Sequence, residues 1–120
     1  MHEDTKGCTF DVQSEYVDIA AEIFRLLSDP TRIRIILALR EGELSVSRIA
    51  EVVGKTPTVV SQHLAKLRMG RLVRARRDGT TMYYRLVDEH ARRLVTEGVF
   101  QAQHTVDDPQ HGTHPRTAQS

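Results

Sequence analysis

The sequence predicts a mainly α-helical fold with one small β-hairpin. Apolar residues recur at helical spacing through most of the chain, and the Asp-Gly pair at residues 78–79 separates two β-prone segments, a strong hairpin signal. A chain of 120 residues with 39% hydrophobic residues is expected to form one small domain. We assign residues 1–11 to a disordered N-terminal tail, 12–104 to the folded domain and 105–120 to a flexible, histidine-containing C-terminal tail.

The predicted elements follow one another in a simple order. Periodic apolar positions and cap residues place helices at about residues 12–27, 30–41, 46–53, 57–69 and 88–104. In the second helix Asp29 is a favourable N-cap and Pro30 suits the first position, and Ser45 is the expected cap of the third. The third and fourth helices are joined by a few residues that include Gly54, which is typical of a helix-turn-helix. With the hairpin after it, this order predicts a winged helix-turn-helix whose first and last helices form a helical dimer interface.

Composition excludes several classes of protein. No apolar run approaches the roughly 18 residues of a membrane span, and the acidic residues among the first 25 argue against a secretory signal. The single cysteine, Cys8, excludes an intramolecular disulfide and fits a cytoplasmic protein. No nucleophile with a base, phosphate loop or catalytic metal motif is visible, so we do not expect an enzyme.

Positive charge is concentrated in the second half of the chain. Between Lys55 and Arg85 lie eight basic residues and one acid, whereas the whole chain has a net charge of only +1. Such a basic face indicates a polyanion partner, with a solvated arginine-rich surface as the alternative. We expect the partner to be a double-stranded DNA operator.

The fourth helix is the expected recognition helix. Val60, Leu64 and Leu67 share one side, and the opposite side carries short polar side chains suited to a major groove. His63 lies nearer the core edge, where a structural role and a DNA contact are both open. The candidate DNA-binding residues are Thr58, Ser61, Gln62, His63, Lys66 and Arg68 on the helix, and Arg74, Arg76 and Arg77 on the wing.

The last helix has an apolar stripe containing small residues, which includes Ala91, Val95 and Gly98. Little of so short a chain remains to cover that stripe, so a second copy is the natural partner. We therefore expect a homodimer whose two recognition helices read a palindromic site about one helical turn apart.

Histidines at both ends of this helix suggest a metal site. His90 and His104 lie about 21 Å apart along the axis, so one subunit cannot bring them onto one ion. An antiparallel pair of helices can, with Asp88, His111 and His114 as further ligands. The alternative is that these histidines are simply solvated.

Residues 12–104 resemble the ArsR/SmtB family of metal-responsive repressors. The likeness is carried by residues 27–32 (LSDPTR), 60–64 (VSQHL) and the wing turn 77–80 (RDGT). Within the family, residues 61–69 and 76–81 are most similar to the nickel- and cobalt-sensing members. The resemblance implies a repressor that binds its operator when metal-free and is released by metal.

The resemblance also implies where metal would bind. The family's Cys-x-Cys positions look like Ser45 and Ser47 here, which disfavours a thiolate site. Asp88 and His90 match half of the family's last-helix site, whereas Gln101 replaces an expected histidine before His104. A neutral amide is a poor zinc ligand, so we expect Ni(II) or Co(II) as the sensed ion. A zinc-responsive repressor, a metal-independent regulator of the same family and a metal-buffering protein remain the alternatives.

Overall fold

The computed structural model describes residues 9–108, so His111 and His114 lie outside the described residues. In chain order the elements are α1 (Tyr16–Leu27), α2 (Pro30–Ala38), β1 (Leu44–Ser45), α3 (Val46–Val53), α4 (Pro57–Met69), β2 (Val73–Asp78), β3 (Thr81–Leu86) and α5 (His90–Asp107). A 3-10 turn over Leu39–Glu41 ends α2. The prediction of a mainly helical protein with a β-hairpin after a helix-turn-helix is confirmed.

Side-chain caps determine where the central helices begin. Asp29 Oδ1 accepts the N–H groups of Thr31 and Arg32 at 2.8 and 3.1 Å, which confirms the predicted cap of α2. Ser45 Oγ and Thr56 Oγ1 each accept the N–H three residues later, at 3.1 and 3.2 Å. Because these bonds satisfy N–H groups left over at a helix start, they fix where α3 and α4 begin.

The core lies between α2, α3, α4 and the sheet. The most completely buried side chains are Ile35, Ile36, Leu39, Ile49, Val60, Leu64, Leu67 and Val73. The three apolar positions predicted to face the core from the recognition helix are among them. The opposite face of α4 is thereby left to solvent, which positions the site described below.

The sheet has one strand more than the predicted hairpin. Strand β3 lies in the centre of the order β1-β3-β2, and Leu44 and Ser45 of β1 pair antiparallel with Tyr84 and Tyr83. Gly79 takes a φ of 65° at the turn between β2 and β3, a conformation that favours glycine. The hairpin is therefore anchored at one edge to the segment that leads into α3.

Four helix ends differ from the predicted ones, among them the start of α5, which is His90 rather than about residue 88. Helix α1 begins at Tyr16 rather than near residue 12, because Ser14 accepts its N–H at 3.1 Å after a turn. Helix α2 tightens into the 3-10 turn at Leu39, and α5 continues to Asp107, beyond the predicted end at His104. No helix within residues 9–108 has the length and apolar character needed to cross a membrane.

Candidate nucleic-acid interface and metal ligands

The recognition helix presents a small polar strip to solvent. Thr58, Ser61 and Gln62 are exposed on the side of α4 that faces away from the core. Lys66 and Arg68 are exposed beside them, in the last turns of the helix. The short side chains allow close approach to base edges, Gln62 has the donor and acceptor needed for adenine, and the two cations suit phosphates.

His63 is placed differently from its neighbours on α4. It is half-buried, and its Nδ1 accepts a hydrogen bond from Arg32 Nε at 3.0 Å. Arg32 also donates from Nη1 to the carbonyl oxygen of Leu26, at 3.1 Å, near the end of α1. His63 thus has a partner within the protein, which fits the structural role that the sequence left open.

The wing arginines divide into two kinds. Arg74 and Arg77 are exposed, whereas Arg76 donates from Nε and Nη2 to both carboxylate oxygens of Glu43, at 3.0 and 2.8 Å. Its guanidinium carbon also lies 4.7 Å from the centre of the Tyr83 ring. The hydrogen bonds from Arg76 hold the pKa of the Glu43 carboxyl below its ordinary value. Arg76 is therefore paired with Glu43 at the protein surface, whereas no such partner holds Arg74 or Arg77 within residues 9–108.

Sequence reasoning missed three residues near this surface. Glu43 has no sequence signal, because it lies 33 positions from its partner Arg76. Arg71 is exposed and has a φ of 63°, and it lies with Arg68 and Arg74 around one surface cleft. Arg32 is a half-buried cation within the apolar helix α2, and that mismatch is the signal that could have identified it.

The predicted metal ligands lie at opposite ends of α5. Asp88 Oδ1 accepts the N–H of His90 at 2.9 Å, so this carboxylate also closes the start of the helix. His90 and His104 are both exposed. Within residues 9–108 of a single subunit, no group of three or more histidine, cysteine, aspartate or glutamate side chains is close enough to hold an ion.

Helices α1 and α5 expose an apolar face. Phe24 and Val99 are 56% and 46% exposed, although both line a groove of about 310 Å³ between the two helices. Gly98 lies in the same groove, and nothing within 4 Å would meet a Cβ there. The sequence assigned the whole stripe of the last helix to a second subunit, and this prediction is wrong for Ala91 and Val95, which are buried in the subunit's own core. Gly98 remains exposed on the face that a second subunit could cover.

The helix-turn-helix carries an exposed polar strip flanked by two cations, and an arginine-bearing hairpin follows it. This combination defines the class of winged helix-turn-helix DNA-binding regulators. Residues 29–75 match the family described as bacterial regulatory protein, arsR family. The chain belongs to the ArsR/SmtB family, as its sequence motifs predicted, and is a transcriptional regulator rather than an enzyme.

Individual relatives support this assignment. The chain is 54% identical over 90 residues to the HTH-type transcriptional regulator KmtR of Mycobacterium tuberculosis, covering 75% of this chain and 69% of the relative. It is 38% identical over 97 residues to a cadmium resistance transcriptional regulatory protein, the CadC homolog of Staphylococcus aureus, covering 79% and 80% of the two chains. Among solved structures, a homodimeric winged helix-turn-helix DNA-binding domain from Mycobacterium bovis matches with a TM-score of 0.68 and 33% identity, covering 80% and 93%.

Proposed function

We propose that this chain is a metal-responsive repressor that binds a palindromic operator as a homodimer when metal-free and is released by Ni(II) or Co(II). The observation that carries the proposal is the division of ligands between the two ends of α5. Asp88 and His90 start the helix, and His104 lies about 21 Å further along it. An antiparallel partner helix would bring the start of one α5 beside the end of the other.

The side chains available as ligands suit a divalent transition-metal ion. Within residues 9–108, neither imidazole of the pair His90 and His104 has a hydrogen-bond or ion-pair partner for its side chain. Imidazole nitrogens and a carboxylate oxygen are ligands for Ni(II), Co(II) and Zn(II). His111 and His114 are the further ligands that would raise the coordination number above the four of a structural zinc site. The similarity to KmtR supports a sensor of the family's nickel and cobalt branch.

On DNA, the exposed strip of α4 would enter the major groove of each half-site. Thr58, Ser61 and Gln62 would read bases, while Lys66 and Arg68 would bind phosphates. Arg74, Arg77 and, when released from Glu43, Arg76 would bind the backbone or an adjoining minor groove. Metal bound between the last helices would favour a dimer in which the two recognition helices no longer match their half-sites. Metal and DNA would then weaken each other's binding by the same factor.

The test is binding of the metal-free dimer to the DNA upstream of its own coding sequence, measured by fluorescence anisotropy at fixed salt. Added Ni(II) or Co(II) should release the DNA, and the order of potency against Zn(II) gives the selectivity. His104→Ala should bind metal-free DNA normally and no longer respond, whereas Gln103→Ala, the neighbouring exposed position, should respond fully. Unchanged affinity with all three metals would favour the metal-independent regulator. Equal metal release from free and DNA-bound dimers would favour the metal buffer.

Base reading by Gln62 is tested separately. Gln62→Ala should lower the specific affinity by about 1–3 kcal/mol, because one bidentate contact to a base is lost. The affinity for random duplex should stay the same, since phosphate contacts remain. An unchanged ratio of operator to random binding would remove Gln62 from the base readers.

A further inference from the structure

Three segments meet at Arg32. Its backbone N–H is part of the α2 cap on Asp29, its Nη1 binds the Leu26 carbonyl of α1, and its Nε binds Nδ1 of His63 on α4. One guanidinium therefore joins the helix that carries the exposed apolar face to the helix that carries the DNA-reading strip. All three bonds are 3.0–3.1 Å long and lie in a partly buried region.

The direction of the hydrogen bond between Arg32 and His63 shows which imidazole nitrogen is unprotonated. The guanidinium of arginine can only donate, so Nδ1 must be the unprotonated nitrogen of a neutral imidazole. A proton on Nδ1 would remove the acceptor and place two cations side by side. Histidine side chains gain their proton within the range of about pH 8 to pH 5.

The charged groups near the bond between Arg32 and His63 come from α1, α4 and the start of α2. Arg32 from α2 and Lys66 from α4 itself oppose a second positive charge. The Asp29 carboxylate, whose pKa is lowered by its hydrogen bond from the Arg32 N–H, favours one. Glu22 and Arg25 of α1 form an ion pair with each other and line the same groove as Arg32 and Lys66. A protonated His63 would thus be drawn towards Asp29 and away from Arg32.

We propose that Arg32 and His63 are positioning residues for DNA binding: their hydrogen bond fixes the recognition helix relative to α1, and protonation of His63 releases it. His63 then acts through Arg32 rather than by touching DNA. The proposal rests on the DNA-binding part of the proposed function and not on metal sensing. It makes operator affinity sensitive to mild acid.

The variants follow from the position of the acceptor. His63→Asn keeps an oxygen acceptor near the place of Nδ1 and cannot gain a proton in this range. His63→Leu fills similar space without an acceptor, and Arg32→Met removes the donors while keeping a long aliphatic chain. Thermal unfolding and circular dichroism of each variant check that the fold is retained.

The measurement is metal-free binding to the same upstream duplex at pH 8 and pH 5.5. We expect wild-type affinity to fall about tenfold at pH 5.5, a change of about 1.4 kcal/mol, and His63→Asn to show a flat profile. His63→Leu should bind about tenfold more weakly than wild type at pH 8 and about as well as wild type at pH 5.5, with an unchanged dependence on salt because no phosphate contact is lost. His63→Leu combined with Arg32→Met should be no weaker than Arg32→Met alone, since Arg32→Met already removes the bond to His63 together with the bond to the Leu26 carbonyl.

Two results would overturn the proposal. If the losses from Arg32→Met and His63→Leu are additive, the residues act independently and His63 is a DNA contact. If wild type and His63→Asn have the same pH profile, protonation of His63 has no effect on binding. The resonance of the Arg32 Nε–H gives a readout without DNA: it should move with acid in wild type and stay fixed in His63→Asn, so a failure of DNA binding is distinguishable from a failure of the bridge.

Discussion

Arg32 and Arg76 carry the same guanidinium group, and their surroundings give it different roles. Arg32 is half-buried and joins two helices through a carbonyl and an imidazole. Arg76 is 52% exposed at the side chain and binds the carboxylate of Glu43 in bidentate geometry. Positive charge in the sequence therefore does not by itself identify a DNA contact. The residue's partner inside the protein decides how much of that charge reaches DNA.

Asp29 offers a prediction at the same scale. The hydrogen bonds from the N–H groups of Arg32 and Thr31, together with the charge of Arg32, lower the pKa of this carboxyl below its ordinary value of 3.8. Between the folded and unfolded pKa the unfolded chain binds the proton and the folded one does not, so stability rises with pH there. The contribution is complete above 3.8 and is lost as the pH falls through the lower, folded value.

Urea unfolding of wild type and Asp29→Asn between about pH 6 and pH 3 measures this effect. Asparagine is nearly as good an N-cap, so the variant should keep most of the stability at neutral pH and lose less of it in acid than wild type. The loss that remains includes the contribution of Glu43, whose pKa is also lowered. Asp29→Ala should cost about 1 kcal/mol at neutral pH because the cap is removed. Parallel curves for wild type and Asp29→Asn would contradict the assignment of this carboxyl.

At the scale of elements, helix α4 ends in an unusual way. Leu72 N–H binds the Leu67 carbonyl and Arg71 N–H binds the Arg68 carbonyl, each at 2.9 Å, which is the Schellman arrangement. The left-handed position in that motif is usually glycine, but here it is Arg71, one residue after Gly70. A left-handed conformation costs a non-glycine residue about 1–2 kcal/mol.

Arg71→Gly should therefore raise the free energy of unfolding by up to about 1 kcal/mol, because glycine adopts this conformation without steric cost and only part of the gain is lost to its flexible unfolded state. Arg68→Gly is the matched control: it removes the same charge from the same cleft, but at a helical position where glycine costs about 1 kcal/mol. Chemical denaturation of both variants gives the comparison. A destabilised Arg71→Gly would show that the side chain, rather than the backbone, matters at this site.

The sequence predicted the elements whose signals are local. The five helices, the Asp29 cap and the hairpin turn at Gly79 each depend on neighbouring residues, and all were found. Strand β1 was missed because a strand of two residues is too short to show an alternating apolar pattern. It forms by pairing with the edge of β3 that β2 leaves free. The bonds from Arg32 to His63 and from Arg76 to Glu43 span 31 and 33 positions, so the chain must fold before either pair exists.

The wing, which is the hairpin of β2 and β3, gives a second prediction at the scale of elements. Glu43 competes with phosphate for Arg76, so Glu43→Gln should raise the affinity for random duplex and steepen its dependence on salt by about one unit, as one more cation binds DNA. Glu41→Gln removes the same charge two residues away, where the pairing with Arg40 is looser at 3.7 Å. The affinity of both variants for random duplex, measured by fluorescence anisotropy at several salt concentrations, distinguishes Glu43→Gln from Glu41→Gln. An equal gain from both variants would mean that long-range charge, rather than release of Arg76, is responsible.

At the scale of the whole molecule, a single chain leaves part of its apolar surface exposed to solvent. Besides Phe24 and Val99, the side chains of Ile19 and Phe100 are both 55% exposed on α1 and α5. Large exposed apolar patches mark interaction surfaces, and the similar domain from Mycobacterium bovis is a homodimer. The same face would set the distance between two recognition helices and complete the ligand set of α5, so DNA reading and metal sensing would depend on one surface.

Val99→Glu tests that dependence. Glutamate is a better helix former than valine, so α5 should persist while a charge placed in the groove opposes its burial against a second copy. Sedimentation should give a monomer at concentrations where wild type is a dimer, and binding to a two-half-site duplex should fall to the affinity of a single half-site. Val52→Glu, at a side chain 51% exposed on α3, should leave the dimer intact. A dimeric Val99→Glu would place the subunit interface elsewhere, and the histidines at the two ends of α5 would then have no common ion to share.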